Sequence, residues 1–213
     1  MKIHPKYTEF FFVLFISFLS IGFSFLFSSK DIFQSIILSF CIFYLFPLLF
    51  IRLVLKKSLQ EFGFNSNISR YDVVWFFSLF LLAFLITFLC IFIFQIPKES
   101  LAPPSFVQES FWLFFLYFFL ITGAFTFFYE FFFRGFLHLG SLRILQWKSI
   151  FFQWFIFLFF LWLSQTLQWE NFFLIVSSFF SGILIFKTHS LFLSFLFSWF
   201  FGILMSIIIL NIF

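Results

Sequence analysis

Charge is what this sequence has least of. Only 9% of its 213 residues are Asp, Glu, Lys or Arg, against roughly a quarter in a soluble domain, which excludes water as the solvent for most of its surface. Cysteine is scarce too. Cys41 and Cys90 each stand alone inside an apolar run, which excludes a disulfide framework. No three residues among His, Cys, Asp and Glu have zinc-ligand spacing, and there is neither a Gly-rich phosphate loop nor a G-x-S-x-G nucleophile elbow. No metal or other cofactor is therefore expected. The net charge of +4 comes from basic residues placed singly, never as a patch with interleaved stacking aromatics, and so nucleic acid is excluded as a partner.

Apolar residues fill the space left by charge. They make up 64% of the chain, 52 of them Phe, more apolar surface than a soluble core of this size can enclose, so membrane lipid is the expected covering. Seven runs stand out between polar breaks: Phe10–Phe27, Ile32–Leu55, Val73–Ile96, Phe111–Leu139, Ile150–Leu167, Phe172–Phe186 and Leu191–Phe213. Most reach the roughly 20 residues that cross a bilayer as a helix. Phe172–Phe186 is short, at about 22 Å for 1.5 Å per residue, and fits a weakly tilted or re-entrant segment. Pro97, Pro103 and Pro104 mark one break, and Gly63, Asn65, Ser66 and Asn67 another. The first run is longer than a signal-peptide core and no A-x-A-like site follows it, so it is expected to stay as a helix. The expected fold is all-α, a polytopic membrane helix bundle of about seven transmembrane helices.

Orientation follows from the basic residues. With the N-terminus cytoplasmic, Lys2, Lys6, Arg52, Lys56, Lys57, Arg70, Arg134, Arg143, Lys148 and Lys187 lie inside, and only Lys30 and Lys98 outside. That bias is what the positive-inside rule demands. Trp147, Trp154 and Trp169 fall near expected helix ends, where indole meets the interface.

A charge within the hydrocarbon costs about 2.5 to 3.5 kcal/mol on insertion scales, which makes intramembrane ionisable residues functional candidates. Glu130 and Arg134 are the outstanding pair, four residues apart and so on one helical face, with the acid on the favourable N-terminal side. The sequence Tyr129-Glu130-Phe131-Phe132-Phe133-Arg134-Gly135 resembles motif one, E-E-x-x-x-R, of the CAAX prenyl protease and bacteriocin-processing (CPBP) family of intramembrane endopeptidases. The resemblance covers roughly Phe106 to Gly202. It implies a CPBP-like helical core at 106–213 behind an N-terminal three-helix region at 1–105, in one membrane-embedded unit placed in a bacterial inner membrane.

The family reaction that the resemblance implies is peptide hydrolysis: a glutamate activates water, histidines assist, and an asparagine or histidine polarises the scissile carbonyl. Carried over position by position, Glu130 and Arg134 remain. Tyr129 replaces the first glutamate, and a phenol is no substitute for a carboxylate base at neutral pH. The second motif, F-x-x-x-H, falls on Phe160-Leu161-Trp162-Leu163-Ser164, with Ser164 for histidine. After the turn Thr188-His189-Ser190-Leu191, the third motif's histidine and asparagine fall on Ser198 and Gly202. The expectation is a catalytically degenerate protein with a binding, immunity or assembly role, whose partner is a membrane-embedded peptide or a prenylated protein. Any hydrolysis would rest on Glu130 as base.

Other features carry other expectations. Ser194, Ser198, Gly202 and Ser206 recur every four residues, a small-residue stripe suited to close approach of a partner helix, and Ser20, Ser24 and Ser28 form a similar one. His138 and His189 lie off the family's histidine positions and join the site only if it is rearranged; His4 lies in the N-terminal tail. A transporter would line a polar pathway with Glu130 and Arg134 and needs further polar groups, chiefly Gln34, Gln95, Thr122, Thr126 and Gln153. A structural subunit would use Glu130 and Arg134 as an ion pair.

Overall fold

Local chemistry decides where each helix starts and stops. In the computed structural model, which describes residues 5–27, 31–65, 67–94, 110–167 and 171–212, each of the seven apolar runs forms a helix, and no strand occurs among the described residues. Helix α1, Pro5–Leu26, begins at a proline, whose missing N–H is not needed there. Helix α2, Ile32–Leu55, is capped by Asp31, whose carboxylate accepts from the N–H groups of Phe33 at 2.8 Å and Gln34 at 3.2 Å. Helix α3, Arg70–Phe94, starts before the expected Val73 because Ser69 and Asp72 cap it reciprocally: Ser69 N–H and Oγ each lie 2.8 Å from Asp72 Oδ2, and Asp72 N–H reaches Ser69 Oγ at 3.3 Å.

The remaining helices are α4, Phe111–Leu145; α5, Lys148–Leu163; α6, Phe172–Thr188; and α7, Leu191–Ile212. Helix α4 runs past the expected Leu139 because Gly140 lets α1 approach; a Cβ there would lie 3.1 Å from Val13. Helix α5 stops short of the expected Leu167. Ser164 Oγ donates to the Leu161 carbonyl at 3.1 Å, and Gln165 turns into left-handed backbone at φ 56°. Trp154 stands well inside α5 rather than near a helix end, and its indole N–H donates to the Ile175 carbonyl of α6 at 3.2 Å. The expectations that rest on His4, Ser28, Ser66, Gln95, Trp169 and the three prolines lie outside the described residues.

Five helices, α1, α2, α3, α4 and α7, are long and apolar enough to cross a membrane, which makes the chain an integral membrane protein. Helices α5 and α6, with 16 and 17 residues, extend only about 24 to 26 Å. Large apolar side chains such as Phe11, Phe15, Leu81, Phe92 and Phe111 face outward, as lipid contact requires.

Helix α4 is the centre. It packs against α1, α2, α5, α6 and α7, while α3 packs against α6 and α7. Two stretches of α4, Tyr117–Thr122 and Phe131–Leu139, are π-helical, and all nine residues of the second are buried. Such wide turns occur frequently at functional sites. Around Phe131, Phe132, Phe133 and Phe136 the core is an aromatic cluster, with Phe43 5.0 Å from Phe132 and Phe157 5.1 Å from Phe133, centroid to centroid and nearly edge to face.

At one end of the bundle, four charged side chains close a ring. Glu9 of α1 pairs with Lys57 after α2 and lies 3.7 Å from Arg143 of α4. Glu61, in the short 3-10 turn Leu59–Phe62, is 2.6 Å from Arg143 and 3.8 Å from Lys57. The next residue, Gly63, has φ 91°, and its carbonyl accepts from the N–H of Leu191 at 2.8 Å. A Cβ at Gly63 would meet Leu191 Cβ at 3.0 Å and Leu139 Cδ1 at 3.1 Å. Gly63→Ala is therefore expected to destabilise the protein by about 1 to 3 kcal/mol. Thermal unfolding in detergent checks this, with Gly22→Ala as the contrast, since a Cβ at Gly22 meets nothing within 4 Å.

Candidate functional site

Three helices bring polar groups to one point in this apolar interior. Glu130 closes the second α-helical stretch of α4, and Arg134 lies one turn on, in the π-helical stretch; both are 2% exposed. Arg134 Nε lies 3.5 Å from Glu130 Oε1. From α7, Ser194 Oγ donates to Glu130 Oε2 at 2.5 Å and Ser198 Oγ to Oε1 at 2.7 Å. From α6, Ser181 Oγ accepts from Arg134 Nε at 3.1 Å and lies 3.5 Å from Glu130 Oε1 and 3.3 Å from the Ser178 carbonyl. The guanidinium carbon sits 5.2 Å from the ring centroid of Phe157 and 5.9 Å from that of Phe133, within cation–π range.

Opposite charges, hydroxyl donors and aromatic faces together replace the hydration that these two groups leave behind. A buried ion pair is held only when its partners' remaining groups are also met, and here the serines meet both oxygens of Glu130 and the Nε–H of Arg134. The stripe expected to receive a partner helix is turned into the bundle. Ser194 and Ser206 are buried, Ser198 is half-buried, and Gly202 faces Phe173, whose ring would lie 3.9 Å from a Cβ there. Within that stripe, Ser194 and Ser198 are ligands of Glu130 as well as packing residues.

A cavity of about 630 Å³ reaches this pair. Glu130, Arg134, Phe157 and Ser198 line its deep end, Thr122, Thr126 and Tyr129 its wall, and Ile32, Ser164, Thr166 and Asn171 its outer part. A smaller lobe of about 280 Å³ shares Tyr129, Phe160 and Ser164 and extends to Ser24 and Ser39. Burial falls along the cavity, from the enclosed Glu130 and Arg134 to the exposed Ile32 and Thr166.

The motif positions are thus divided. Glu130, Arg134 and Ser198 meet. Tyr129 lies beside them on the cavity wall, hydrogen-bonded to Ser39 and packed 5.1 Å from Phe43. Ser164 stays in the outer part, sharing a hydrogen bond with Thr166 at 2.6 Å. His138 is fully buried, with neither ring nitrogen bonded among the described residues, and lies parallel to Phe186 at 6.4 Å. His189 is exposed, in left-handed backbone after α6. Neither histidine bonds to Glu130. No cluster of three metal-ligating side chains occurs among the described residues.

Of the further polar groups a transport pathway would need, Thr122 and Thr126 line the cavity with Glu130 and Arg134, and Gln34 and Gln153 do not. Gln34 is exposed, and Gln153 reaches the Ser178 carbonyl at 3.4 Å between α5 and α6. Ser181 and Ser194 are site residues that the motif comparison misses. The signal for Ser181 was present in Ser177, Ser178 and Ser181, three hydroxyls in the apolar stretch of α6 before Lys187.

Removing one partner strands the other. Glu130→Ala leaves a buried guanidinium without its counter-charge and is expected to cost about 3 to 5 kcal/mol. Ser194→Ala is expected to cost about 1 to 3 kcal/mol through the lost hydroxyl donor. The double variant Glu130→Gln/Arg134→Gln, which keeps the interior neutral, is expected to lose less than Glu130→Ala. Thermal midpoints in one detergent order the three.

No family model, curated protein or solved structure matches this chain, and its function is argued from the site itself.

Proposed function

We propose that this chain is a membrane protein of the CPBP kind that keeps the motif-one helix, has lost hydrolysis, and holds a membrane-embedded peptide segment in the cavity beside Glu130 and Arg134. It crosses the bilayer seven times with its N-terminus in the cytoplasm, the arrangement that the uneven distribution of basic residues favours. The short helices α5 and α6 are accommodated by local thinning of the bilayer.

One observation carries the loss of hydrolysis. Among the described residues the hydrogen-bond partners of Glu130 are hydroxyls alone, Ser194 on Oε2 and Ser198 and Ser181 on Oε1, with Arg134 beside them, and no histidine or second carboxylate bonds to it to pass on a proton taken from water. No imidazole or side-chain amide stands at the matched positions Tyr129, Ser164, Ser198 and Gly202 to assist the base or polarise a carbonyl. What remains is a cavity in which aromatic and aliphatic side chains alternate with hydroxyls, an amide and the ion pair, a lining that suits a binding site.

The junction of α4, α6 and α7 at Glu130 favours a second reading, a structural subunit in which the ion pair only fixes the bundle. A peptide-binding measurement with and without Arg134 separates the two.

The hydrolysis test is direct. Purified protein incubated with prenylated and unprenylated membrane peptides is expected to release no product above the Glu130→Ala control by mass spectrometry. Turnover by the unaltered chain that disappears in that variant would overturn the proposal.

A further inference from the structure

Arg134 is anchored through one nitrogen. Its Nε–H donates to Ser181, whereas the terminal Nη1 and Nη2, which carry four N–H groups in a planar fork, make no hydrogen bond among the described residues. The side chain is 3% exposed and lines the cavity. Neither terminal nitrogen belongs to the fully buried polar atoms that lack a partner, so the fork opens on the cavity and can take an oxygen that the protein itself does not supply.

The charge balance selects the kind of oxygen. Glu130 already compensates Arg134, and no other charged residue lines the cavity. A carboxylate or phosphate in the fork would leave a net negative charge in the apolar slab, whereas a carbonyl oxygen leaves the site neutral. The remaining polar lining, including Thr122, Thr126, Asn171 and Ser177, consists of hydroxyls and an amide. These suit an uncharged ligand with donors and acceptors of its own.

Topology selects the route. The outer part of the cavity is formed by Ile32 at the start of α2 and by Thr166 and Asn171 between α5 and α6. Lys57, Arg143 and Lys148 stand at the other end of the same helices. We infer that Arg134 grips an uncharged carbonyl oxygen of an apolar ligand that reaches it from the end of the bundle opposite the basic residues. This rests on reading the cavity as a binding site and adds the ligand's chemistry and its direction of approach.

The test uses the full chain with Cys41→Ser and Cys90→Ser and, separately, Thr166→Cys at the mouth or Lys148→Cys at the basic end, labelled with a membrane-impermeant maleimide. In intact cells Thr166→Cys is expected to react and Lys148→Cys to react only after permeabilisation; reaction of both from one side overturns the route. In detergent, an acetylated and C-amidated leucine-rich hexapeptide is expected to slow labelling of Thr166→Cys. The half-protecting concentration should rise about tenfold or more in Arg134→Lys, which keeps charge but removes the fork, and in Glu130→Gln/Arg134→Gln.

Protection in both variants equal to that with Arg134 and Glu130 intact, stronger protection by the same peptide with a free carboxylate, or no protection by any uncharged probe overturns the inference. Protection by palmitoyl methyl ester but not by the capped peptide upholds the carbonyl fork and overturns the peptide proposed above.

Discussion

Two opposite charges held 3.5 Å apart in the interior, Glu130 and Arg134, set where α4, α6 and α7 must lie. An unpaired ion in hydrocarbon is costly enough that the helices carrying its partners have little freedom to slide. Ser194 and Ser198 fix the register of α7 against Glu130, and Ser181 fixes that of α6 against Arg134. Apolar packing alone would not be so exacting. In a bundle rich in one side chain, many registers bury similar area, and hydrogen bonds to a few defined atoms choose among them.

Phenylalanine supplies bulk around that point, and glycine lets backbones approach it. The rings of Phe131, Phe132, Phe133 and Phe136 occupy the interior of α4, and Gly135 on the same stretch leaves room for the Phe62 carbonyl, which would lie 3.1 Å from a Cβ. Gly182 serves α6 in the same way, because a Cβ there would collide with the Gln153 amide. The short turn before Gly63 is consequently pressed against α4 and α7, carrying Glu61 to Arg143. These contacts join the aromatic core to the ring of charges at the end of the bundle.

Much of the fold was legible because apolar runs in a chain this poor in charge have one stable form, the helix, whose backbone needs no outside partner. Helix limits were less so. The runs at Val73 and Leu139 mark where apolar composition changes, while the helices run on to Arg70 and Leu145 through a capping pair and a glycine contact, which hydropathy does not register. Pairing of Glu130 with Arg134 followed from their spacing. The role of Ser194 and Ser198 did not, because a four-residue repeat of small residues reads equally as a packing stripe, and only the rotation of α7 decides which atoms its hydroxyls meet. Ser181 and the residues around Thr166 come from other helices, and no local pattern ties them to Glu130.

The ring of Glu9, Lys57, Glu61 and Arg143 gives the bundle a mechanical polarity. It fastens α1, the end of α2 and the end of α4 at one extremity, and the cavity opens at the other, beyond α5. Any change in helix tilt about that fastening is amplified with distance, as in the jaws of a clothes peg. For a given rotation about that fastening, displacement is therefore larger at Ile32, at the far end of α2, than at the guanidinium and carboxylate, nearer the pivot.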